Sequence, residues 1–337
     1  SRMSEPSKIE DLSDDLFMSV LEYCGDVISV HKSWNDLNPR INLILNDHRL
    51  NLHIDLQNTT AETNYYYLSL LMKCRHQLIS LKPNFDNTIQ LFSTIHNLQE
   101  FTSLRSLILT NAHLIDLKYV LEKSKELPAL TSLSLDTTKI TSKTAIRSLC
   151  KMLFDSPSVK ILKLNLHEYW LCFDKVTTTS NIEQLILQKC DLNDLFDLFP
   201  YVPKLRRLSI HEALNVHLIT DSLQCLLSSL TYLNVFLINI SFDKLKLLLR
   251  FVPNIRTLVL FGNVNDRNYL NKSHWKSMLL QSLKTLRVNI TVALKQESSE
   301  IIGIETQFQK EFWLMKSIRF HIYANEKLNT AIIRTSN

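Results

Sequence analysis

A short ladder of apolar residues returns along most of the chain. The segment LRSLILTNA at 104–112 carries it in full, and altered forms begin at residues 130, 159, 182, 205, 230, 255 and 283, at steps of 23 to 29 residues. Side chains alternate between the two faces of an extended segment, so Leu107 and Leu109 share one face. The pattern therefore predicts one short β-strand per repeat, with an apolar face that must be buried.

The spacing and the apolar pattern together resemble a leucine-rich repeat, whose units of about 20–29 residues carry LxxLxL. Two earlier units start at Leu52 and Leu78, and a last one is predicted at Met315, which gives about eleven irregular units. Parallel strands bury such a face when they stack and returning segments cover them. We therefore predict an α/β leucine-rich-repeat solenoid over residues 47–337, with a curved parallel sheet and outer helices.

The segments between the strands predict these outer helices. Apolar residues recur in them at helical spacing, Ser, Asp or Asn opens several, and proline often follows. Helices are predicted within residues 57–77, 116–130, 144–159, 193–205, 221–230 and 241–255. The Asn or Cys usual at the ninth ladder position occurs only at Cys190 and Asn263, so an irregular solenoid is expected, with longer inserts at 165–181, 262–282 and 291–314.

Residues 9–46 follow a different pattern. An apolar stripe at helical spacing opens the segment, formed by Leu12, Leu16, Phe17, Val20 and Leu21. Gly25 interrupts it, a second short helix is predicted from Val27 to Leu37, and Pro39 starts a third. We predict a small all-α module over 9–46.

This module resembles an F-box. The family pattern is Leu-Pro-x-Glu-Leu, an apolar stripe ending in Tyr-Leu, and a second helix with Trp or Phe. The segment LSDDLFMSVLEYC at 12–24 matches it, as do the later residues Val27, Ile28, Val30, Trp34, Leu37, Arg40 and Ile41. Two positions depart from the pattern, because Ser13 stands where the family has proline and Cys24 where it has leucine.

The resemblance implies that the module docks on a Skp-type adaptor, which joins a cullin–RING assembly. An F-box followed by leucine-rich repeats implies the substrate receptor of an SCF-type E3 ubiquitin ligase, which holds a target near activated ubiquitin and is not itself an enzyme. The residues expected to contact the adaptor are Leu12, Leu16, Phe17, Val20, Leu21, Val27, Ile28 and Trp34.

Two other interpretations stay open. A helical cap on the first repeat would make the chain a free-standing leucine-rich-repeat interaction scaffold. A docking module, unlike a cap, should leave apolar side chains exposed, and residues 9–46 hold more of them than one buried face needs. RNA binding is a weaker interpretation, because the net charge of +5 comes without a basic run.

Residues between the ladder leucines are predicted to line the concave face of the sheet. The early strands offer small polar residues there, whereas the later ones add arginine and aromatic residues, which dominate many protein interfaces. The predicted substrate-binding residues are Arg207, His211, Tyr232, Asn234, Phe236, Phe261, Arg287 and Arg319. This mixture predicts a protein target with an acidic or phosphorylated segment beside an apolar anchor.

Composition narrows the possible chemistry. The chain is 45% apolar and 21% charged, and its three glycines argue against glycine-rich phosphate loops. His211-Glu212 lacks a second histidine at the spacing of a zinc helix, and Cys74 and His76 indicate packing. We predict no catalytic set, metal or cofactor.

Six scattered cysteines without a CxxC pair predict reduced thiols and a cytoplasmic and/or nuclear location. We expect neither an export signal nor a membrane span, and a monomer. Ser1-Arg2 before Met3 resembles a tag remnant, so residues 1–8 are expected to precede the fold.

Overall fold

The computed structural model describes most of the chain, namely residues 11–24, 26–57, 64–83, 97–110, 114–137, 142–166, 171, 178–214, 225–278, 282–294, 319–325 and 330–336. The chain divides into two compact units, residues 1–136 and 137–337. Strands and helices occur in both, which is the mixed α/β class that the ladder predicts.

Unit 1 opens with three helices where the sequence predicts them, namely α1 (Asp14–Cys24), α2 (Val27–Trp34) and α3 (Pro39–Leu45). Side chains cap two of them. The Asp26 carboxylate accepts a hydrogen bond from the Ser29 amide at 3.2 Å, and Asn38 Oδ1 accepts one from the Ile41 amide at 2.8 Å. Because these caps satisfy amides that a first helical turn leaves free, α2 and α3 have defined starts.

A parallel sheet makes up the rest of unit 1. Its elements are β1 (Leu52–Asp55), α4 (Asn64–Lys73), β2 (Leu78–Lys82), β3 (Ser106–Thr110), α5 (Leu114–Ser124) and β4 (Ser132–Thr137). The strands lie in the order β1-β2-β3-β4, so each pairs with its neighbour in the sequence. A single 3-10 turn, Leu98–Glu100, precedes β3. Neighbours in sequence are neighbours in space, as stacked repeats require.

Unit 2 continues the same plan at greater length. Its elements are α6 (Lys143–Phe154), β5 (Ile161–Leu166), β6 (Gln184–Asp191), α7 (Leu192–Leu198), β7 (Arg207–Leu214), β8 (Tyr232–Ile238), α8 (Phe242–Phe251), β9 (Thr257–Val264), α9 (Lys272–Met278), β10 (Thr285–Ala293), β11 (Arg319–Asn325) and β12 (Thr330–Ser336). Strands β5 to β10 are parallel and lie in chain order.

The ladder residues of unit 2 face one another from strand to strand. One row joins Leu162, Leu185, Leu208, Leu233, Leu258 and Leu286, each no more than 2% exposed. The next row joins Leu164, Leu187, Ile210, Val235, Leu260 and Val288, and it is buried as well. This in-register burial confirms the ladder and gives unit 2 a leucine-rich-repeat-like core.

A polar ladder that the sequence analysis missed runs beside the apolar one. In several repeats, the residue just before the first ladder position donates a side-chain hydrogen bond to a carbonyl of the preceding repeat. The pairs are Asn181 with Pro157 (2.8 Å), Ser229 with Pro203 (2.7 Å), Asn254 with Ser228 (2.8 Å) and Ser282 with Pro253 (2.9 Å). These bonds satisfy turn carbonyls, the role that the usual Asn or Cys at the ninth position was expected to fill.

The end of the sheet differs from the prediction. The last unit was predicted at Met315, which lies outside the described residues, as a further parallel repeat. The strand that follows, β11, does not pair with β10. Strand β12 lies between them, antiparallel to both. An antiparallel pair needs only a short connection, so β11 and β12 form a hairpin at the end of the sheet.

The helix predicted over 221–230 is absent from the part of that segment that is described, Cys225–Leu230. There the Leu227 amide donates to the Phe251 carbonyl at 2.8 Å, a bond to the following repeat. Leu227 and Leu230 are buried. The apolar spacing therefore reflects turn residues that enter the core.

The insert expected at 262–282 is ordered and packed where it is described. A 3-10 turn, Arg267–Leu270, leads into α9, and the Trp275 indole donates to the Tyr269 carbonyl at 2.6 Å. Both rings are buried against Phe242 of α8, with ring centroids 5.1 and 5.4 Å from it. The insert covers the core of its repeat. Most of the other two expected inserts lies outside the described residues.

Glycine at position 262 is required by the backbone. Gly262 has φ of +135°, and an added Cβ would lie 2.0 Å from the Leu237 carbonyl oxygen on β8. We expect Gly262→Ala to lower the free energy of unfolding by about 1–3 kcal/mol from the backbone strain alone, and further from the clash.

The measurement is the midpoint of urea unfolding. Asn263→Ala is the matched control, because Asn263 is the exposed neighbour of Gly262 on β9 and accepts the Asn239 amide through its backbone carbonyl, which alanine keeps. Equal unfolding midpoints for the two variants would contradict the conclusion that the backbone requires glycine at position 262.

Candidate functional site

The apolar stripe of the front helices is divided between core and surface. Phe17, Leu21, Val27 and Ile28 are at most 8% exposed, and with Ile41, Ile44 and Leu45 they fill the space between α1, α2 and α3. The Phe17 ring packs edge-on against Trp34, with centroids 5.3 Å apart. Phe17, Leu21, Val27 and Ile28, which the sequence predicts to contact the adaptor, therefore lie in the core of this chain, and the adaptor contact itself stays a prediction.

Other apolar residues of these helices remain on the surface. Leu16 is 57% exposed, Leu37 59%, Leu43 75% and Tyr23 94%. Of the predicted contacts, Leu12, Val20 and Trp34 are half-buried. Among these residues, Tyr23, Leu37 and Leu43 were not named as contacts. Helical spacing places Leu43 away from the buried side of α3, which is the signal that could have identified it.

A cleft of about 540 Å³ lies between α1 and α3, lined by Phe17, Asn38, Pro39, Arg40, Ile41 and Ile44. At its edge, Arg40 forms an ion pair with Asp14 at 2.8 Å and also donates to the Leu12 carbonyl. Leu43 follows Arg40 by three residues, so the two share a side of α3. The exposed Leu43 therefore lies on the same side of α3 as this ion pair.

The front helices also pack against the first repeat of unit 1. Asp26 forms a parallel β-bridge with His53 of β1. The side-chain amide of Gln77 donates to the Leu45 and Asp47 carbonyls at 2.8 and 2.7 Å. Lys32 of α2 lies over the Tyr67 ring, 5.8 Å from its centroid. These contacts are what a cap would make, so one module both covers the first strand and retains exposed apolar side chains.

A buried histidine lies at the centre of this contact. His31 is 4% exposed, and its Nε2 lies 3.2 Å from the Cys74 sulfur. Burial, aided by the charge of Lys73, lowers the pKa of His31. Burial also raises the pKa of the Cys74 thiol to about 11. The pair is held neutral, which suits packing and does not suit nucleophilic chemistry.

The second candidate surface is the open face of unit 2, which we define as the residues of β5–β10 and β12 that alternate with the buried ladder. Most of the predicted substrate-binding residues lie on it at least partly exposed, namely Arg207, His211, Tyr232, Asn234, Phe236, Phe261 and Arg287. For Arg319 only the backbone of β11 is described. Val259, on the same face, is 7% exposed.

Register brings several of these residues side by side. Arg207 pairs with Tyr232, and its guanidinium lies over the tyrosine ring, 4.8 Å from the centroid. Phe236 pairs with Phe261 on the next strand, and Phe261 pairs with Asn289. Rigid neighbouring strands thus place arginine and aromatic groups in adjacent rows, a composition typical of protein-binding hot spots.

The structure adds Arg334 to this surface. It lies on β12, opposite Asn289 of β10, and its Nε donates to Asn289 Oδ1 at 3.1 Å. The segment TAIIRTS at 330–336 lies outside the ladder, so no repeat signal pointed to it. Only the pairing of β12 with β10 brings Arg334 to the open face.

Among the described residues, no three His, Cys, Asp or Glu side chains come together in a way that could hold a metal ion. Cys74 is buried against His31, whereas His76 is exposed. None of the helices in the described ranges combines the length and apolar character that a membrane span needs.

Sequence comparison gives no match, neither to a protein-family model nor to a curated protein. Among solved structures, the crystal structure of a TLR13–ssRNA13 complex is similar at 18% sequence identity and a TM-score of 0.39, over 69% of this chain and 39% of that chain. The chain thus spans well under half the length of that protein. At this TM-score the likeness carries no argument, and the repeat-like fold rests on strand register and burial.

The environment of His31 predicts that stability depends on pH. The folded pKa lies below the unfolded value of 6.5, so the unfolded chain takes up the proton first as the pH falls. Stability is therefore complete above pH 6.5 and declines below it, by up to about 1.4 kcal/mol per pH unit.

Unfolding midpoints in urea between pH 7.5 and 5.5 measure this decline. His31→Gln should flatten the slope, and His48→Gln, a change at a side chain 86% exposed, is the control variant. If His31→Gln leaves the slope undiminished, the pH dependence of stability does not come from His31.

Proposed function

We propose that this protein is the substrate-recognition subunit of an SCF-type E3 ubiquitin ligase. Its front helices dock on a Skp-type adaptor and the open face of unit 2 holds the target protein. The sequence resemblance of residues 12–41 to an F-box supports the first part. The arginine and aromatic rows support the second.

One observation carries the docking part of this proposal. The three front helices already have a filled core, yet Leu16, Leu37 and Leu43 stay more than half exposed. Exposed apolar side chains grouped on a small module are typical of an interaction site. A cap that serves only the first repeat needs one apolar face and no second set.

The chemistry of this function is proximity. A receptor of this kind holds its target within reach of ubiquitin activated elsewhere in the complex, which raises the effective concentration of the reacting groups. The chain then needs two rigid surfaces and no catalytic residues of its own. Such a receptor works in the cytoplasm or the nucleus.

A second candidate function is a free-standing protein-interaction scaffold with a helical cap. The contacts of α2 with the first repeat favour it, above all the Asp26–His53 bridge and the buried His31–Cys74 pair. The two candidates share the open face of unit 2. They differ in whether the exposed leucines of α1 and α3 meet a partner.

Adaptor capture separates the two functions. Purified chain should bind a purified Skp-type adaptor in isothermal titration calorimetry. The double variant Leu16→Asp/Leu43→Asp should weaken binding at least tenfold, because each charge would be desolvated in the interface. Both positions are exposed, so circular dichroism should show an unchanged fold.

Ile115→Asp is the matched control for that experiment. Ile115 is 79% exposed on α5, away from the front helices in the sequence, and its substitution should not alter adaptor binding. Absence of binding by the unmodified chain, or equal loss with Ile115→Asp, would contradict adaptor docking and favour the scaffold.

A further inference from the structure

The cations of the open face of unit 2 differ from other cations of the same unit. Lys189 lies 3.7 Å from Glu212 and Lys160 lies 3.8 Å from Glu183, so those charges are balanced. On the open face, the side chains of Arg207, Arg287 and Arg334 have no ion pair with any described residue. Along the described strands β5–β10 and β12, the residues that strictly alternate with the buried ladder side chains include no Asp or Glu, and Glu212, which lies between Ile210 and Ala213 on β7, is paired with Lys189. The charge of the open face is positive and unbalanced.

Two of these arginines lie close enough to share one ligand. Arg287 and Asn289 lie two residues apart on β10, which is about 7 Å along the strand and on the same face. Arg334 lies opposite Asn289 on the neighbouring strand, about 5 Å away. One oxygen of Asn289 accepts from Arg334 Nε at 3.1 Å and orients that guanidinium. Within the described part of the chain, the other Arg334 donors and those of Arg287 have no hydrogen-bond partner.

An apolar surface adjoins this pair. Phe261 lies opposite Asn289 and is 36% exposed, and Phe236 lies opposite Phe261. The step from Asn289 to Phe236 crosses two strands, or about 10 Å. An extended peptide covers that distance in about three residues. The surface therefore matches an anionic side chain followed or preceded, about three residues away, by an apolar one.

We propose that Arg287, Asn289 and Arg334 bind a phosphorylated or carboxylate side chain of a target polypeptide, and that Phe236 and Phe261 hold an apolar residue of the same segment. Two arginine forks match the oxygens of a phosphate or a carboxylate and form charge-assisted hydrogen bonds. This inference rests on the proposed function, since it specifies the target class of the face assigned to the target there.

The same observations favour a polypeptide over RNA. A nucleic acid binds by neutralising many phosphates in succession, whereas the charge here is concentrated in one pair of arginines. The rest of the open face carries isolated cations among aliphatic and amide side chains, including Ile161, Ile186 and Gln188. One anion with an apolar neighbour fits this arrangement.

The probes are three fluorescent peptide libraries, degenerate except for one fixed residue, which is phosphoserine, glutamate or serine. Fluorescence anisotropy measures binding to the full chain at 150 mM salt, a condition about as ionic as the cell. We expect the phosphoserine or glutamate library to bind at least tenfold more tightly than the serine library. Arg287→Gln/Arg334→Gln should abolish that preference.

Arg250→Gln is the control for loss of a remote charge, because Arg250 is exposed on α8 and its loss removes one positive charge, against two in the double variant. Arg250→Gln should leave the dissociation constants of the charged libraries within twofold of those of the unmodified chain. Phe261→Ala should weaken binding of both charged libraries, and the serine library should still bind no more tightly than it does to the unmodified chain. Whether phosphoserine or glutamate binds more tightly identifies the source of the anion.

Three results would overturn this inference: equal binding of the three libraries, a preference that survives the double arginine variant, or tighter binding of a labelled single-stranded RNA that competes with the peptides.

Adaptor capture is measured separately on the same proteins. If capture persists while the anion preference is missing, this site is wrong and the proposed function stands. If capture fails while the anion preference holds, the anion site stands and the proposed ligase function is wrong.

Discussion

The structure depends on one constraint: the leucines of each strand must face the leucines of the next. In unit 2 the row from Leu162 to Leu286 is buried at every strand, and a shift of one residue would turn it to solvent. Full burial of each such side chain contributes about 1.5–3 kcal/mol. This constraint fixes the register of the sheet, and it leaves most of the alternate residues outside the core.

The position of these alternate residues outside the core explains where the candidate target surface lies. Arg207, Tyr232 and Phe261 occupy positions where a side chain of any type can be accommodated, so their chemistry is not needed for the core. The polar ladder of Asn181, Ser229 and their equivalents works at a different place, in the turns before the strands, where it satisfies carbonyls. Packing, turn chemistry and recognition are thus assigned to separate positions of each repeat.

The ends of the sheets need different solutions, because an end strand has no further repeat beside it. In unit 1, α2 lies against β1, and its contacts include a buried histidine and the Asp26–His53 bridge. In unit 2, the hairpin β11–β12 adds antiparallel strands after β10. Both solutions cover an end strand of the parallel sheet, and both place new side chains on a surface. Leu43 and Arg334 are examples of residues that reach a surface in this way.

The sequence by itself determined the repeat, the strands and the three front helices, because these follow from alternation, helical spacing and caps that act over a few residues. It also identified most of the open face, since the residues between ladder leucines have only one other side to occupy. Tertiary structure alone decided which apolar residues of α1–α3 are core and which are surface, as Phe17 and Leu16 show. It also decided that β12 lies next to β10 and brings Arg334 beside Asn289. Those outcomes depend on partners distant in sequence, and no local pattern encodes them.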